Sequence, residues 1–253
     1  MPLQIVTVPC LSDNYAYIVK GPESTCVIDA PEAGPIIAEL EARGWSLDSI
    51  LITHHHHDHV GGVEELRAKY HCDVLGPKAE QDKLPELDLA LADGDSGGEG
   101  DELVEVIAVP GHTLGHVAYY FPNGGAVFTA DSLMAMGCGR VFEGTPEMMY
   151  HSLQRLAALP PKTLVYSGHE YTAANARFAK TIEPDNQELN WRIEQIDHAR
   201  AEGEPTVPAI LAQELETNPF LRAHLPQVKA AVGMPDAPDV AVFAEIRARK
   251  DRF

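Results

Sequence analysis

The residues of this chain best suited to chemistry lie in one short stretch, THHHHDHVGG, at residues 53–62. It contains five histidines and one aspartate in six consecutive positions. The stretch is internal, includes Asp58 and follows the apolar run SILIT, so it belongs to the protein and is not a purification tag. In an extended segment alternate side chains point the same way, so we expect His54, His56 and Asp58 to converge. His59, at the turn before two glycines, can turn back toward them.

Three imidazoles and a carboxylate at this spacing are typical ligands of zinc or another borderline transition ion, rather than of Ca²⁺ or Mg²⁺. The intervening His55 and His57 would then face the opposite side. The alternative is a solvent-exposed, histidine-rich loop without a metal. Ligand-type residues that recur later in the chain favour the metal site.

Those later residues each follow a predicted strand. His112 comes after IAVPG, Asp131 ends the run VFTAD, and His169 comes after LVYSG. If these strands lie side by side, their ends line one edge of a sheet. Seven candidate ligands exceed the three or four that one metal needs, so they indicate two metals with Asp131 as the bridging carboxylate. Two ions about 3.5–4 Å apart suit an attacking oxygen held between them.

Other polar residues are weaker candidates. Asp29 ends the strand-like run CVIDA, and we expect it to orient a ligand from outside the coordination shell, the alternative being an ordinary turn residue. His116 begins HVAYYF, which is typical of a strand, so a structural role is predicted. The remaining histidines in surface-like contexts are assigned no role: His71, His151, His198 and His224.

The elements that must position these residues are mostly strands up to residue 170 and helices after it. LQIVTVP, NYAYIV and TCVIDA are β-rich, and GPIIAELEARG has the apolar spacing of a helix that ends at Gly44. The pattern predicts an α+β protein with one domain over residues 1–170 and a smaller, all-helical domain over residues 171–253. The acidic, glycine-rich stretch at residues 93–102 is predicted to be a solvated loop.

Composition limits the partners and the compartment. A net charge of −19 argues against nucleic acid, because phosphate neutralisation needs a basic face. There is no apolar run of about 20 residues to span a bilayer and no signal-peptide pattern at the N-terminus, so a cytoplasmic protein without a membrane partner is expected. The four cysteines are scattered, which favours reduced, buried thiols. A monomer is expected.

The ligand pattern resembles the five-part signature of the metallo-β-lactamase superfamily, in THHHHDHVGG with His112, Asp131 and His169. This resemblance covers roughly residues 1–170 and implies an αββα sandwich with the metals at one edge. FTADSLMAMGCGRVFEGTPEMMY, YSGHEYTAANARFA, ETNPFLR and RARKDRF resemble glyoxalase II, the hydroxyacylglutathione hydrolase family, over nearly the whole chain. The family pattern implies ligands for one metal, ligands for the other and a bridge: His54, His56 and His112; Asp58, His59 and His169; and Asp131.

The glyoxalase II resemblance implies a reaction. A hydroxide between two divalent ions, with zinc expected and iron or manganese as alternatives, would attack the carbonyl of S-D-lactoylglutathione or a related S-2-hydroxyacylglutathione. The carboxylates of Asp58 and Asp131 would belong to this catalytic centre. The products would be D-lactate and glutathione, the second step of methylglyoxal detoxification. The alternatives on the same fold are a glutathione persulfide dioxygenase with one iron and a lactonase-type hydrolase.

A glutathione site is implied as well, formed by Arg140, Tyr171, Arg247 and Lys250, with Phe142 where some members have a tyrosine. The residues support it independently, because this acidic chain places four cations in its last seven residues, RARKDRF. Arg247 and Lys250 are three apart and share a helix face. The alternative is an ordinary basic helix terminus that complements the macrodipole.

Overall fold

The computed structural model describes residues 2–253. Contacts divide the chain into two compact units, one formed by the residues up to Ala108 with Leu114–Phe128, the other by Val109–Thr113 with Thr129–Phe253. This division does not follow the change in pattern near residue 170. The domain limits 1–170 and 171–253 therefore remain a prediction.

The first unit contains a six-stranded sheet in which the strands lie in sequence order. Its strands are β1 Gln4–Cys10, β2 Asn14–Lys20, β3 Thr25–Ile28, β4 Ser49–Leu51, β5 Asp73–Pro77 and β6 Leu89–Leu91. The first three are antiparallel, whereas β3 to β6 pair in parallel. Parallel neighbours need crossover connections, and three helices lie in them. They are α1 Ala33–Arg43, α2 His57–Val60 and α3 Val63–Tyr70.

The helix α1 confirms the helical pattern of GPIIAELEARG. Ile36 and Leu40, four residues apart, are both fully buried, so one face of the helix packs on the core of the sheet. The helix ends at Gly44, whose φ of 68° is the left-handed conformation that glycine adopts without a steric penalty. Ile50 and Ile52, in and just after β4, belong to the same core. The segment that leads into the histidines is therefore anchored on this core.

The first unit also contains antiparallel strands that follow one another along the chain. They are β7 Ser96–Gly97, β8 Val104–Ala108, β9 Val117–Phe121 and the first residues of β10 Ala126–Ala130. The acidic stretch at residues 93–102 is almost entirely exposed, as predicted, and contains β7 and a short 3₁₀ helix, Gly100–Glu102. Another 3₁₀ helix, Lys78–Lys83, follows β5. The last two residues of β10 belong to the second unit.

The second unit is mainly helical. Its short strands are β11 Leu133–Met134, β12 Gly137–Cys138, β13 Leu164–Ser167 and β14 Ala209–Ile210. Its helices are α4 Pro146–Ala157, α5 Thr172–Ile182, α6 Gln187–Ala201, α7 Leu211–Thr217, α8 Pro226–Ala231 and α9 Asp239–Arg252. The expectation of helices alone after residue 170 misses β14, which pairs antiparallel with β13. Two residues are too few to show a strand period, and long-range pairing alone defines this strand.

Aromatic packing organises the core of the second unit. The ring of Phe220 lies 6.2 Å from that of Phe178 and 5.6 Å from that of Phe243, and all three side chains are buried. These residues come from α5, the segment after α7, and α9, so the core joins distant parts of the helical region. Within residues 2–253 no helix combines the length and apolarity that crossing a bilayer requires. The four cysteines are free and buried, as predicted.

Candidate active site

The histidine segment leaves β4 as an extended chain and then turns into a helix. His56 is still extended, with φ −60° and ψ 141°, and α2 begins at the next residue. The prediction of an extended segment through Asp58 is therefore correct only as far as His56. The reason is a helical turn, closed by hydrogen bonds from the amide of His59 to the carbonyl of His56 and from Gly61 to His57. A helical turn, not a strand, presents Asp58 and His59.

In the first unit, Asp29 contacts one of the candidate ligands, as expected. Its Oδ2 lies 2.7 Å from Nδ1 of His59, and both its oxygens accept hydrogen bonds of 2.8 Å from Thr53. A carboxylate accepts, so Nδ1 of His59 carries the proton and Nε2 presents its lone pair. Nε2 of His54 lies 3.1 Å from Nδ1 of His56. Asp29 has a φ of 55°, a left-handed conformation that is uncommon for non-glycine residues.

Asp58 is held by a residue that the sequence did not identify. The side-chain amide of Asn14, at the start of β2, donates to Oδ2 and to the carbonyl of Asp58, both at 3.0 Å. Asn14 is buried, and Oδ2 of Asp58 lies 3.8 Å from Nε2 of His59. Asn14 is 44 residues away in sequence, and no local pattern in a single sequence marks such a partner.

A buried carboxylate, Glu80, binds the histidine segment at His55. Its Oε2 accepts from the amide of His55 at 2.9 Å and lies 2.7 Å from Nδ1 of the same residue. Its Oε1 accepts from the amide of Gly115 at 2.8 Å. His55 therefore faces away from the candidate ligands, as alternation predicts, and His57 is exposed. His116 is buried with its ring 4.6 Å from that of His54, which agrees with a structural role that remains a prediction.

In the second unit, Asp131 lies between two imidazoles. Its Oδ2 is 3.3 Å from Nε2 of His112 and its Oδ1 is 3.3 Å from Nε2 of His169. Nδ1 of His112 lies 2.8 Å from the carbonyl of Arg140, which only accepts, so Nε2 of this histidine also presents its lone pair. Ala130, immediately before Asp131, has a φ of 41°. Each oxygen of Asp131 therefore has one imidazole nitrogen beside it, and its role as a bridging carboxylate remains a prediction.

The donor sets of both units fit metal ions. Two ligand atoms that are each about 2.0–2.1 Å from one ion lie about 3–3.4 Å apart. The separations between Nε2 of His54 and Nδ1 of His56, and between Asp131 and its two imidazoles, are 3.1 and 3.3 Å. Neutral imidazoles and carboxylates suit zinc, iron or manganese. His54, His56, Asp58 and His59 belong to the first unit, and His112, Asp131 and His169 to the second.

The residues predicted to contact glutathione differ in exposure. Tyr171 stacks on His169 with ring centroids 4.6 Å apart and planes at 6°, and 39% of it is exposed. Phe142 is 62% exposed, with its ring 5.3 Å from that of His112. Arg140 is exposed. Arg247, in contrast, is only 5% exposed, and its Nη1 donates to the carbonyl of Cys138 at 2.9 Å.

Lys250 lies among positively charged side chains in the second unit. Its Nζ donates to the carbonyl of Ala174 at 3.3 Å and is 5.3 Å from the centre of the Phe178 ring. Burial, and then the neighbouring guanidinium groups of Arg247, Arg177 and Arg140, lower the pKa of Lys250 to about 8. Positively charged side chains are therefore concentrated locally in a chain of net charge −19, with Asp251 paired to Arg247 at 2.9 Å. The sequence pattern did not identify Arg177, which lies on α5.

Arg249 does not belong to this positive site. Its Nε donates to Glu245 at 2.8 Å and its Nη2 to the carbonyl of Val232 at 2.7 Å. Arg249 therefore has different partners from Arg247 and Lys250, which donate to the carbonyls of Cys138 and Ala174.

Comparisons with known proteins cover the whole chain. The family model of the metallo-beta-lactamase superfamily matches residues 11–169, and that of the hydroxyacylglutathione hydrolase C-terminus matches residues 170–253. The chain is 60% identical over 255 residues to a hydroxyacylglutathione hydrolase of Cereibacter sphaeroides strain ATCC 17023, with 100% of both chains covered. It is 58% identical to the enzyme of that name from Ruegeria pomeroyi, again with 100% of both chains covered.

Two solved structures illustrate the fold. The protein TTHA1623 in a di-iron-bound form is 31% identical, with a TM-score of 0.55, and the match covers 66% of this chain and 91% of that one. The B3 metallo-beta-lactamase BLEG-1 has a TM-score of 0.67 at 21% identity and covers 86% of this chain and 99% of that one. At that identity the likeness to BLEG-1 shows the fold alone. The predicted metallo-β-lactamase fold is thereby confirmed.

Proposed function

Because this chain belongs to the hydroxyacylglutathione hydrolase family of the metallo-β-lactamase superfamily, we propose that it is a thioester hydrolase that cleaves S-D-lactoylglutathione and related S-2-hydroxyacylglutathiones. The products would be D-lactate and glutathione. The observation that carries this proposal is the position of Asp131, whose two oxygens each lie 3.3 Å from an imidazole nitrogen. The same chain is matched over its full length by proteins named hydroxyacylglutathione hydrolase.

Two divalent ions are part of the proposal. On the family pattern, the ligands would divide into a set for one ion, a set for the other, and a bridge: His54, His56 and His112; Asp58, His59 and His169; and Asp131. Zinc is the expected metal, with iron or manganese as alternatives set by availability. When bound, such ions supply Lewis acidity and make a water nucleophilic near neutral pH.

The chain's own residues hold these donors ready. The carboxylate of Asp29 and the carbonyl of Arg140 each accept the Nδ1 proton of a ligand histidine, so both rings present Nε2 without reorganisation. Asn14 donates to Asp58 and fixes its carboxylate. Groups that are already oriented need no reorganisation when the reaction occurs, and this preorganisation favours catalysis.

The substrate's glutathione part carries carboxylates, and the positive site around Lys250 suits them. Arg140, Arg177 and Lys250 provide the accessible part of the attraction, while Arg247 supports it from its buried position. Tyr171 and Phe142 offer exposed aromatic faces beside His169 and His112. The leaving thiolate has a conjugate acid with a pKa of about 8.5, so the chain needs no strong general acid.

We also propose that the enzyme acts in the cytoplasm. Four free, buried cysteines suit the reducing cytoplasm, where a glutathione thioester is available. The enzyme would act as a monomer on this small molecule.

The test is hydrolysis of S-D-lactoylglutathione by the purified chain, with the bound metal counted in the same sample. Rapid thioester loss with about two metals per chain is expected. A full metal complement without hydrolysis would contradict the proposed substrate and leave a lactonase-type activity as the alternative. One iron per chain with oxygen consumption would indicate the dioxygenase alternative, which the full-length hydrolase relatives do not favour.

A further inference from the structure

The hairpin formed by β11 and β12 connects two parts of the candidate metal centre within the second unit. Asp131 precedes the hairpin by two residues, and Arg140, whose carbonyl orients His112, follows it by two. Every residue from Asp131 to Gly139 is buried. A displacement of this hairpin would therefore move both Asp131 and the carbonyl that holds His112.

Side chains from α7 and the residues just after it hold the backbone of this hairpin. Oε2 of Glu214 accepts from the amide of Met136 at 2.9 Å. The side-chain amide of Asn218 donates to the carbonyls of Gly137 at 2.9 Å and Met134 at 3.2 Å. It also donates to Oε2 of Glu214 at 2.9 Å, so the two side chains act as one clamp on the turn. Neither is accessible to solvent.

The clamp is itself fixed by a buried cation. Arg192, on α6, forms an ion pair with Glu214 through Nη2, and its Nη1 donates to the hydroxyl of Thr217 at 2.6 Å. A buried ion pair contributes little net stability, because the desolvation of the two charges offsets most of their attraction. The pair instead fixes Glu214, which accepts from the amide of Met136. Met136 adopts a φ of 61°, a left-handed conformation that a non-glycine residue keeps only when its surroundings impose it.

We propose that Glu214 and Asn218 are positioning residues for the metal centre, which hold the hairpin so that Asp131 and the Arg140 carbonyl stay in place. The helical C-terminal region would then support metal binding in addition to glutathione binding. The ETNPFLR stretch, which contains Asn218, would then serve to position the hairpin rather than to contact the substrate. The inference rests on the proposed function for its kinetic consequence, but its metal-binding consequence is independent of the substrate.

The test compares Zn²⁺ affinity, measured by competition with a fluorescent chelator, in Glu214→Gln, Asn218→Ala and the parent chain. Residues that orient ligands from outside the coordination shell typically change metal affinity or activity by about 10–100-fold when replaced. We expect a loss in that range for both variants, together with a fall in kcat for S-D-lactoylglutathione and a KM within about twofold of the parent.

A matched control is Glu183→Gln. Glu183 is a similarly buried carboxylate that forms a two-pronged ion pair with Arg222, at 2.7 and 2.9 Å, without contacting the hairpin. Its replacement should lower the melting temperature and leave Zn²⁺ affinity unchanged. If Glu214→Gln does not fold because Arg192 loses its partner, Asn218→Ala decides, since it removes no buried charge.

Two results are distinguishable. Folded Glu214→Gln and Asn218→Ala proteins whose Zn²⁺ affinity matches that of Glu183→Gln would overturn the positioning role. A parent chain that binds two Zn²⁺ ions without cleaving the thioester would instead contradict the proposed function, while the comparison of affinities would still decide the inference.

Discussion

At the scale of single residues, the candidate ligands are defined as much by their partners as by their own type. Asp29 holds His59, and the Arg140 carbonyl holds His112, in each case through Nδ1. In both rings this leaves Nε2 as the donor atom, which is the tautomer that a neutral imidazole ligand needs. Asp131 also has close partners, because an imidazole nitrogen lies 3.3 Å from each of its oxygens. We therefore expect its replacement to disturb the metal centre strongly.

Replacing Asp131 with alanine should remove one metal and most turnover. A metal acting as a Lewis acid contributes several kcal/mol to transition-state stabilisation, so we expect kcat to fall at least about a hundredfold. Metal analysis and steady-state kinetics on the same preparation measure both effects. An Asp131→Ala protein with two metals and ordinary activity would refute the bridging role.

The pH dependence of substrate binding should reflect Lys250. The charged groups around it are Arg247, Arg177 and Arg140, together with Asp251, whose Oδ1 lies 2.9 Å from Arg247 and 4.0 Å from Arg140. The Cys138 thiol, whose pKa burial raises to about 11, is neutral in this range. The ammonium of Lys250 is charged below its pKa of about 8 and neutral above it. We therefore expect kcat/KM for the anionic substrate to fall as pH rises through about 8.

Two substitutions separate this effect from other titrations. Lys250→Gln should lower kcat/KM about tenfold at pH 7, as expected for one lost charge-assisted hydrogen bond, and remove the decline. Lys250→Arg keeps the charge and should move the decline to higher pH. A decline near pH 8 that persists unchanged in Lys250→Gln would assign it to another group.

At the scale of elements, the residue just after β12, Gly139, is packed too tightly for any side chain. A Cβ atom at Gly139 would lie 1.9 Å from the carbonyl oxygen of Asp131 and 3.2 Å from Nδ1 of His112. Glycine is therefore required here by close approach and not by a turn. The absence of a side chain at Gly139 lets the chain after β12 pack directly against the backbone of Asp131.

Gly139→Ala should consequently displace Asp131 and weaken metal binding. Overpacking of this kind typically costs about 1–3 kcal/mol of unfolding free energy, measurable by denaturant titration with metal content determined in parallel. Gly97→Ala is the control, because a Cβ atom there meets nothing within 4 Å. Equal metal content and stability in the two variants would show that the hairpin yields without consequence.

At the scale of the whole molecule, each unit has a core that does not depend on the metal ligands. In the first, Ile36, Leu40 and Ile50 pack in a fully buried apolar cluster, and in the second Phe220 and Phe243 lie in an aromatic one. Apolar burial of this kind is the dominant favourable contribution to folding. Bound metals would add to this stability without being its source.

Metal removal should therefore lower the melting temperature but leave secondary structure intact at 25 °C. Ligand present at 1,000 times its dissociation constant stabilises the native state by about 4 kcal/mol, which corresponds to a shift of about 10 °C for a chain of this size. Thermal unfolding followed by circular dichroism, before and after chelation, measures the shift, and Zn²⁺ should restore it. A chelated chain without helical signal at 25 °C would contradict the expectation.

Local patterns in the sequence were enough to predict several features. Residue type and spacing predicted the seven candidate ligands, and the strand patterns placed Asp131 directly after β10 and His169 two residues after β13. The apolar spacing of α1 and its terminal Gly44 were correct for the same reason. These features depend on neighbours within a few residues, and the chain's covalent order contains that information.

Only the tertiary structure decided which distant residues hold the site. Asn14 contacts Asp58 across 44 residues, and Glu214 reaches Met136 across 78. The helical turn that carries Asp58 and His59 also escaped prediction, because four residues are too few for a helical period. Such contacts arise when packing brings separate elements together, and a single sequence contains no local signal for that proximity. The donor atoms were thus determined locally, whereas their orientation was determined by long-range packing.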